Sequence, residues 1–177
     1  RRYSAARDTL TYVDTRLSAD AARPLGGGVS RAALYRRGAL ARATMMSGAL
    51  ENAMDLGCTY AQQRVQFGRP ISKFQAVQHN LAMLASQAAA AVAAANQGIA
   101  ALDKDEETQE FRIAIAKTRV GEAATMAAEL AHQVHGAIGF TKEYALQLST
   151  RRLWSWREEF GADPEWAAEL GAYFCAK

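Results

Sequence analysis

The chain has 177 residues, with 21 Lys+Arg against 18 Asp+Glu, three His, two Cys and 50% hydrophobic residues. That length suits one domain able to bury a core without disulfide or metal staples, and two distant cysteines exclude a disulfide scaffold. A formal charge of +3, with basic residues scattered among acidic ones, leaves no electrostatic footprint for nucleic acid. The most apolar stretch, Leu81 to Leu102, is mainly alanine and is broken by Ser86, Gln87, Asn96 and Gln97. It falls short of the roughly 20 strongly apolar residues of a membrane span. No charged start followed by an apolar core and cleavage site marks a secretory signal. With Cys58 and Cys175 expected as reduced thiols, the expected location is the cytoplasm. Position 1 is Arg and not Met, which leads us to expect a fragment or a processed chain.

Thirty-nine alanines and only three prolines point to long helices, so the expected class is all-α. Residues 1–29 stand apart. Asp8-Thr-Leu-Thr-Tyr-Val-Asp14 alternates apolar and polar residues at the strand period, which predicts a short extended β arm ahead of a helical region at 30–177.

After the Gly26-Gly27-Gly28 run, Ser30 is a natural N-cap for a helix reaching Gln63. Its seam is Leu40, Ala43, Ser47, Leu50, Met54, Gly57 and Ala61. A second helix is expected over Gln75–Leu102, with Val77, Leu81, Leu84, Ala88, Val92, Ala95 and Ile99 inward. The acidic connector Asp103-Lys-Asp-Glu-Glu107 follows, with capping-box spacing between Asp103 and Glu106. The third helix, Gln109–His135, has the seam Ile113, Ala116, Val120, Ala123, Ala127, Leu130 and Val134. A fourth is expected over Tyr144–Glu159, and Asp163-Pro164 supplies an N-cap and first-position Pro for a last one. Sustained seams and short loops predict an antiparallel four-helix bundle with an extra C-terminal helix.

Two loops carry chemistry. Arg64-Val-Gln-Phe-Gly68-Arg-Pro70-Ile-Ser-Lys-Phe74-Gln75 groups a guanidinium, two amides and two aromatic rings beside a glycine. Such a set can clamp a phosphate, stack on a flat ring and hydrogen-bond its edges, or it can be a plain helix hairpin with a solvated Arg. The second reads His132-Gln133-Val-His135-Gly136-Ala-Ile-Gly139-Phe140-Thr141-Lys-Glu143-Tyr144. His132 and His135 stand three residues apart without a third ligand nearby, so no metal site is expected.

Arg-x-Gln-Phe-Gly-x-Pro-Ile-x-x-Phe-Gln, followed by Gln-x-His-Gly-x-x-Gly-Phe-Thr-x-Glu-Tyr and the Arg151-Arg152 pair, resembles the C-terminal helical domain of acyl-CoA dehydrogenases. Residues 1–29 resemble the end of that family's middle β-domain. The resemblance implies FAD shared across a subunit interface, an acyl-CoA substrate, and a homo- or hetero-oligomer with another subunit of this type. It implies that Arg64 binds the FAD pyrophosphate and that Gln66 and Phe67 hold the adenosine half. It further implies that Phe74 and Gln75 line the same cleft and that Gln133 with the main chain at Gly136 and Ala137 contacts the partner's cofactor.

The resemblance also exposes a departure. Such enzymes remove an α-proton with a glutamate, either in a Glu-Gly-Thr triplet or on the first long helix. Counted without gaps, those two positions are Phe160 and Gly38 here. Of the neighbouring Glu158 and Glu159, which would need a register slip to substitute because one residue turns a helical side chain by about 100°, Glu159 is the weak candidate. The expectation is therefore a subunit without its own base, paired with a subunit that supplies one. The alternatives are an active flavin enzyme using Glu159 or another flavin reaction (oxidase or monooxygenase), or a non-enzymatic helical interaction module.

Overall fold

The structure is a computed structural model and describes residues 30–104 and 108–175. The expected β arm at 1–29, and Glu106 of the expected capping box, lie outside the described residues. The described residues form five α-helices: α1 (Arg31–Gln63), α2 (Gln75–Asp103), α3 (Gln109–His135), α4 (Leu146–Glu158) and α5 (Asp163–Cys175). The described residues are thus all-α apart from a small hairpin, β1 (Val65–Gln66) with β2 (Arg69–Pro70).

Ser30 caps α1 as expected, its hydroxyl accepting from the Ala33 N–H at 3.0 Å. A helix of 33 residues is about 50 Å long. It has two faces to bury, and it buries both. The expected seam is buried except Met54, which is half-buried, and Ala39, Met46 and Ala53 form a further stripe of zero exposure. α1 packs on α2 and α3 and also on α4; α3 packs on all four other helices. The seam of α3 is buried throughout.

α2 differs from expectation in the face it turns inward. Leu84, Ala88, Ala91, Ala95, Gly98 and Ala101 are buried, whereas Val77, Leu81, Val92 and Ile99 are only half-buried. An alanine-rich helix offers little hydropathic contrast to orient it, so close approach decides. A Cβ on Gly98 would lie 2.7 Å from Leu40 Cδ1 and 3.4 Å from the Ala116 Cβ. Three helices therefore meet where only glycine and alanine leave room.

The last helix begins differently from the expected Asp163 N-cap. Asp163 is its first residue; the Ala162 carbonyl accepts from Trp166 N–H, and Glu165 reaches back to the Ala162 N–H at 3.3 Å. The Asp163 carboxylate serves Arg157 instead, at 2.6 Å.

Candidate functional site

α1 ends at Arg64, whose N–H bonds Tyr60 O at 2.8 Å and whose carbonyl accepts from Ile71 N–H at 2.8 Å. That bond closes the base of the hairpin, in which Gln66 faces Arg69. The two connecting residues, Phe67 and Gly68, have φ of 51° and 78°, the both-positive pattern of the turn that matches strand twist. Glycine tolerates it; for a phenylalanine it is strained. The Phe67 ring is nevertheless 92% exposed. It touches Phe74 edge-on at 6.1 Å, and the Arg69 guanidinium lies 4.4 Å above the same Phe74 ring. Arg64, Gln66 and Gln75 are exposed beside it, with Phe74 half-buried at the start of α2.

The second loop stops α3 at Gly136, whose φ of 64° requires glycine although open space lies over it. Its main chain is thus approachable from outside. Gln133, Gly136 and Ala137 line an open groove of about 650 Å³ with His132, Phe140 and Trp154. The His132 ring stacks on Phe140 at 4.1 Å and shares a hydrogen bond with Thr150 Oγ1 at 3.1 Å. Sequence reasoning missed Phe140 and Trp154 as groove walls. Trp154, 47% exposed, lies on α4, and no local pattern connects it to Gln133. Trp166 is buried core.

His135 behaves as a core histidine: buried, its Nδ1–H donating to Ala131 O at 2.7 Å, its ring stacked on Tyr60 at 4.8 Å. Burial lowers the pKa of both histidines, and for His132 the neighbouring His135 lowers it further. No group of three or more His, Cys, Asp or Glu among the described residues could hold a metal.

The contact from Tyr60 on α1 to His135 on α3, with Leu81, Leu84 and His135 all within 4 Å of where a Cβ on Gly57 would stand, sets both loops at one end of the bundle. Within this chain the hairpin residues do not line the groove. They are two neighbouring patches. Their chemistry fits a dinucleotide-like flavin cofactor: a guanidinium for phosphate, an exposed ring for a flat heterocycle, amides and an accessible main chain for polar edges.

A third region lies where α4 joins α5. Phe160 has φ 56° and Gly161 φ 92°. Trp166 Nε1–H donates to Phe160 O at 2.9 Å, and a Cβ at Gly161 would lie 2.6 Å from both Trp166 Nε1 and Tyr35 Oη. Beneath the turn sits Lys117, with no exposed surface, donating from Nζ to the carbonyls of Arg157 and, at 2.8 Å, Gly161. Burial lowers its pKa, with Asp163 opposing. Sequence reading passed over Lys117, yet a signal was present: it falls between Ile113 and Val120 on the buried stripe. Glu159, the weak base candidate, is half-buried with Oε2 held by Arg42 through Nε at 2.7 Å and Nη2 at 2.6 Å.

Residues 27–163 match the family described as acyl-CoA dehydrogenase, C-terminal domain. The chain is similar to 3-sulfinopropanoyl-CoA desulfinase of Paraburkholderia xenovorans, 37% identical over 66% of this chain and 30% of that protein. It is also similar to acyl-CoA dehydrogenase IpdE2 of Mycolicibacterium smegmatis, 36% identical over 64% of this chain and 35% of that protein. Among solved structures, the ChsE4-ChsE5 complex from Mycobacterium tuberculosis shares the fold with a TM-score of 0.77 at 22% identity, over 81% of this chain and 39% of that one. The chain belongs to the acyl-CoA dehydrogenase family, whose members are FAD-dependent oxidoreductases, and carries its C-terminal helical domain. It spans about a third of the length of these curated relatives.

Proposed function

We propose that this domain clamps FAD and joins subunits in an acyl-CoA-dehydrogenase-like enzyme whose catalytic carboxylate is supplied by another subunit. The observation that carries the reading is the hairpin. A strained turn holds Phe67 in water beside exposed Arg64 and Gln66, an arrangement the isolated fold does not require. When bound, FAD supplies the acceptor for a hydride from the β-carbon of an acyl-CoA thioester. This chain's residues bind and orient. Arg64 would hold the pyrophosphate by charge-assisted hydrogen bonds; Gln66 and Phe67 would hold the adenosine half, with Phe74 and Gln75 lining the cleft. Gln133 and the main chain of Gly136 and Ala137 would meet the cofactor of the partner subunit, so that FAD is shared across the interface.

Support for a heteromer comes from the base positions, Phe160 and Gly38, neither of which carries a carboxylate, and from the fold shared with a solved heteromeric complex. Under the same reading residues 30–177 form the helical domain and 1–29 end a middle β-domain. The free thiols Cys58 and Cys175 fit a cytoplasmic setting, and no described helix is long and apolar enough to cross a membrane.

The test is Arg64→Ala in the full-length parent protein, with flavin absorbance and native mass read together. Loss of one charge-assisted contact should weaken FAD binding by about 10- to 100-fold and lower the flavin content. Unchanged flavin and oligomer size would remove the clamp reading. A parent homo-oligomer carrying one FAD per subunit would remove the separate base-bearing subunit.

A further inference from the structure

Phe160 and Gly38 are far apart in sequence, on the α4–α5 turn and on α1, but they touch. A Cβ built at Gly38 would lie 2.7 Å from Cζ of Phe160, 2.5 Å from Cδ1 and closer still to Cε1. The ring therefore occupies the volume that any side chain at position 38 would need.

Phe160 is not loosely placed. Its left-handed φ of 56° is unusual for a bulky residue and persists only where the surroundings impose it. The surroundings are specific: Trp166 holds its carbonyl, Lys117 holds the carbonyl of Gly161, and Tyr35 meets the ring edge-to-face at 6.0 Å. The adjacent acid, Glu159, is tied to Arg42 on α1.

We propose that Phe160 is a plug seated on Gly38. It fills with an apolar ring the one place where either kind of base would stand, and leaves this subunit an acyl-thioester-facing wall that cannot accept a proton. The assignment of that place to the thioester rests on the proposed acyl-CoA reading; the plug itself rests on the packing.

A two-part experiment on the purified full-length parent protein, with its native partners and flavin, separates the two. In the first, melting midpoints are compared for Gly38→Ala, Phe160→Ala and the double variant. With the ring in place, a methyl at position 38 overpacks the contact and should lower the midpoint by about 5 °C. With the ring removed, the same change should be neutral or raise the midpoint, because alanine is the better helix former. An equal effect in both backgrounds overturns the plug.

In the second, Phe160→Cys is alkylated with iodoacetamide and resolved by peptide mass, with exposed Cys175 as internal control. Butyryl-CoA at ten times its half-saturating concentration should slow alkylation at position 160 by about tenfold, since only free protein reacts, and leave Cys175 unchanged. Thermal coupling without protection overturns the thioester-facing assignment and the acyl-CoA reading of this face. It leaves the FAD clamp to the Arg64→Ala test.

Discussion

Replacing Lys117 by Met keeps the length and apolar stem of the side chain and removes its donors. In the fold those donors serve two main-chain carbonyls, Arg157 and Gly161. Buried ion pairs are often replaceable by apolar residues at no cost, because both partners go together. Here the acceptors belong to the backbone and stay behind. Two hydrogen bonds from a charged donor are worth about 1.5–3 kcal/mol each, and release of the buried ammonium returns part of that. A net loss of about 2–3 kcal/mol follows, or roughly 5–10 °C in the melting midpoint of a chain this size.

The pH dependence carries a sign. Burial lowers the folded-state pKa of Lys117 below its ordinary value of 10.5. Between the folded value and 10.5 the unfolded chain holds more protons, so wild-type stability rises with pH across that window. The Met variant lacks this gain. Denaturant midpoints of both proteins, measured in parallel from neutral to alkaline pH, should therefore draw apart as pH rises, with other titrations cancelling in the difference. A Met variant as stable as the wild type, or a gap that narrows with pH, would refute this account of the α4–α5 turn.

Phe67→Gly relaxes a turn at φ 51° and deletes a ring that is 92% exposed. Relief of left-handed strain and the greater unfolded-chain entropy of glycine nearly cancel, so stability should stay within about 1 kcal/mol while flavin content of the parent protein falls. A large drop in melting midpoint would show instead that Phe67 serves the fold. His132 and His135 both have pKa values lowered below 6.5, burial being the main cause. The unfolded chain takes up protons first, so stability should decline as pH falls below about 6.5. A double His132→Gln, His135→Gln variant should lose that acid limb; retention of the limb would assign it to other groups.

Much of the helical layout was legible because it is local. The 3.6-residue period and the residues that interrupt it placed α1 and α3 to the residue, and α2 to within one. The two loop motifs stood out for the same reason, their residues being contiguous. The face of α2 was not legible, since nearly uniform alanine leaves the choice to whichever neighbour approaches closest, at Gly98. Lys117 showed only as a charge on an apolar stripe. Its partners are carbonyls 40 and 44 residues away, and main-chain acceptors leave no mark in a sequence.

What the sequence determined by itself, then, was set within a few turns of chain: the lengths of α1, α2 and α3, the Ser30 cap, and the Arg64–Gln75 and Gln133–Phe140 motifs. That Phe160 packs on Gly38, that Trp154 walls the groove of Gln133, and that Glu159 is bound to Arg42 were decided by tertiary packing alone. Packing can bring any two segments together, and the pairing depends on shapes filling space across helices, whereas periodicity records only which side of its own helix a residue faces.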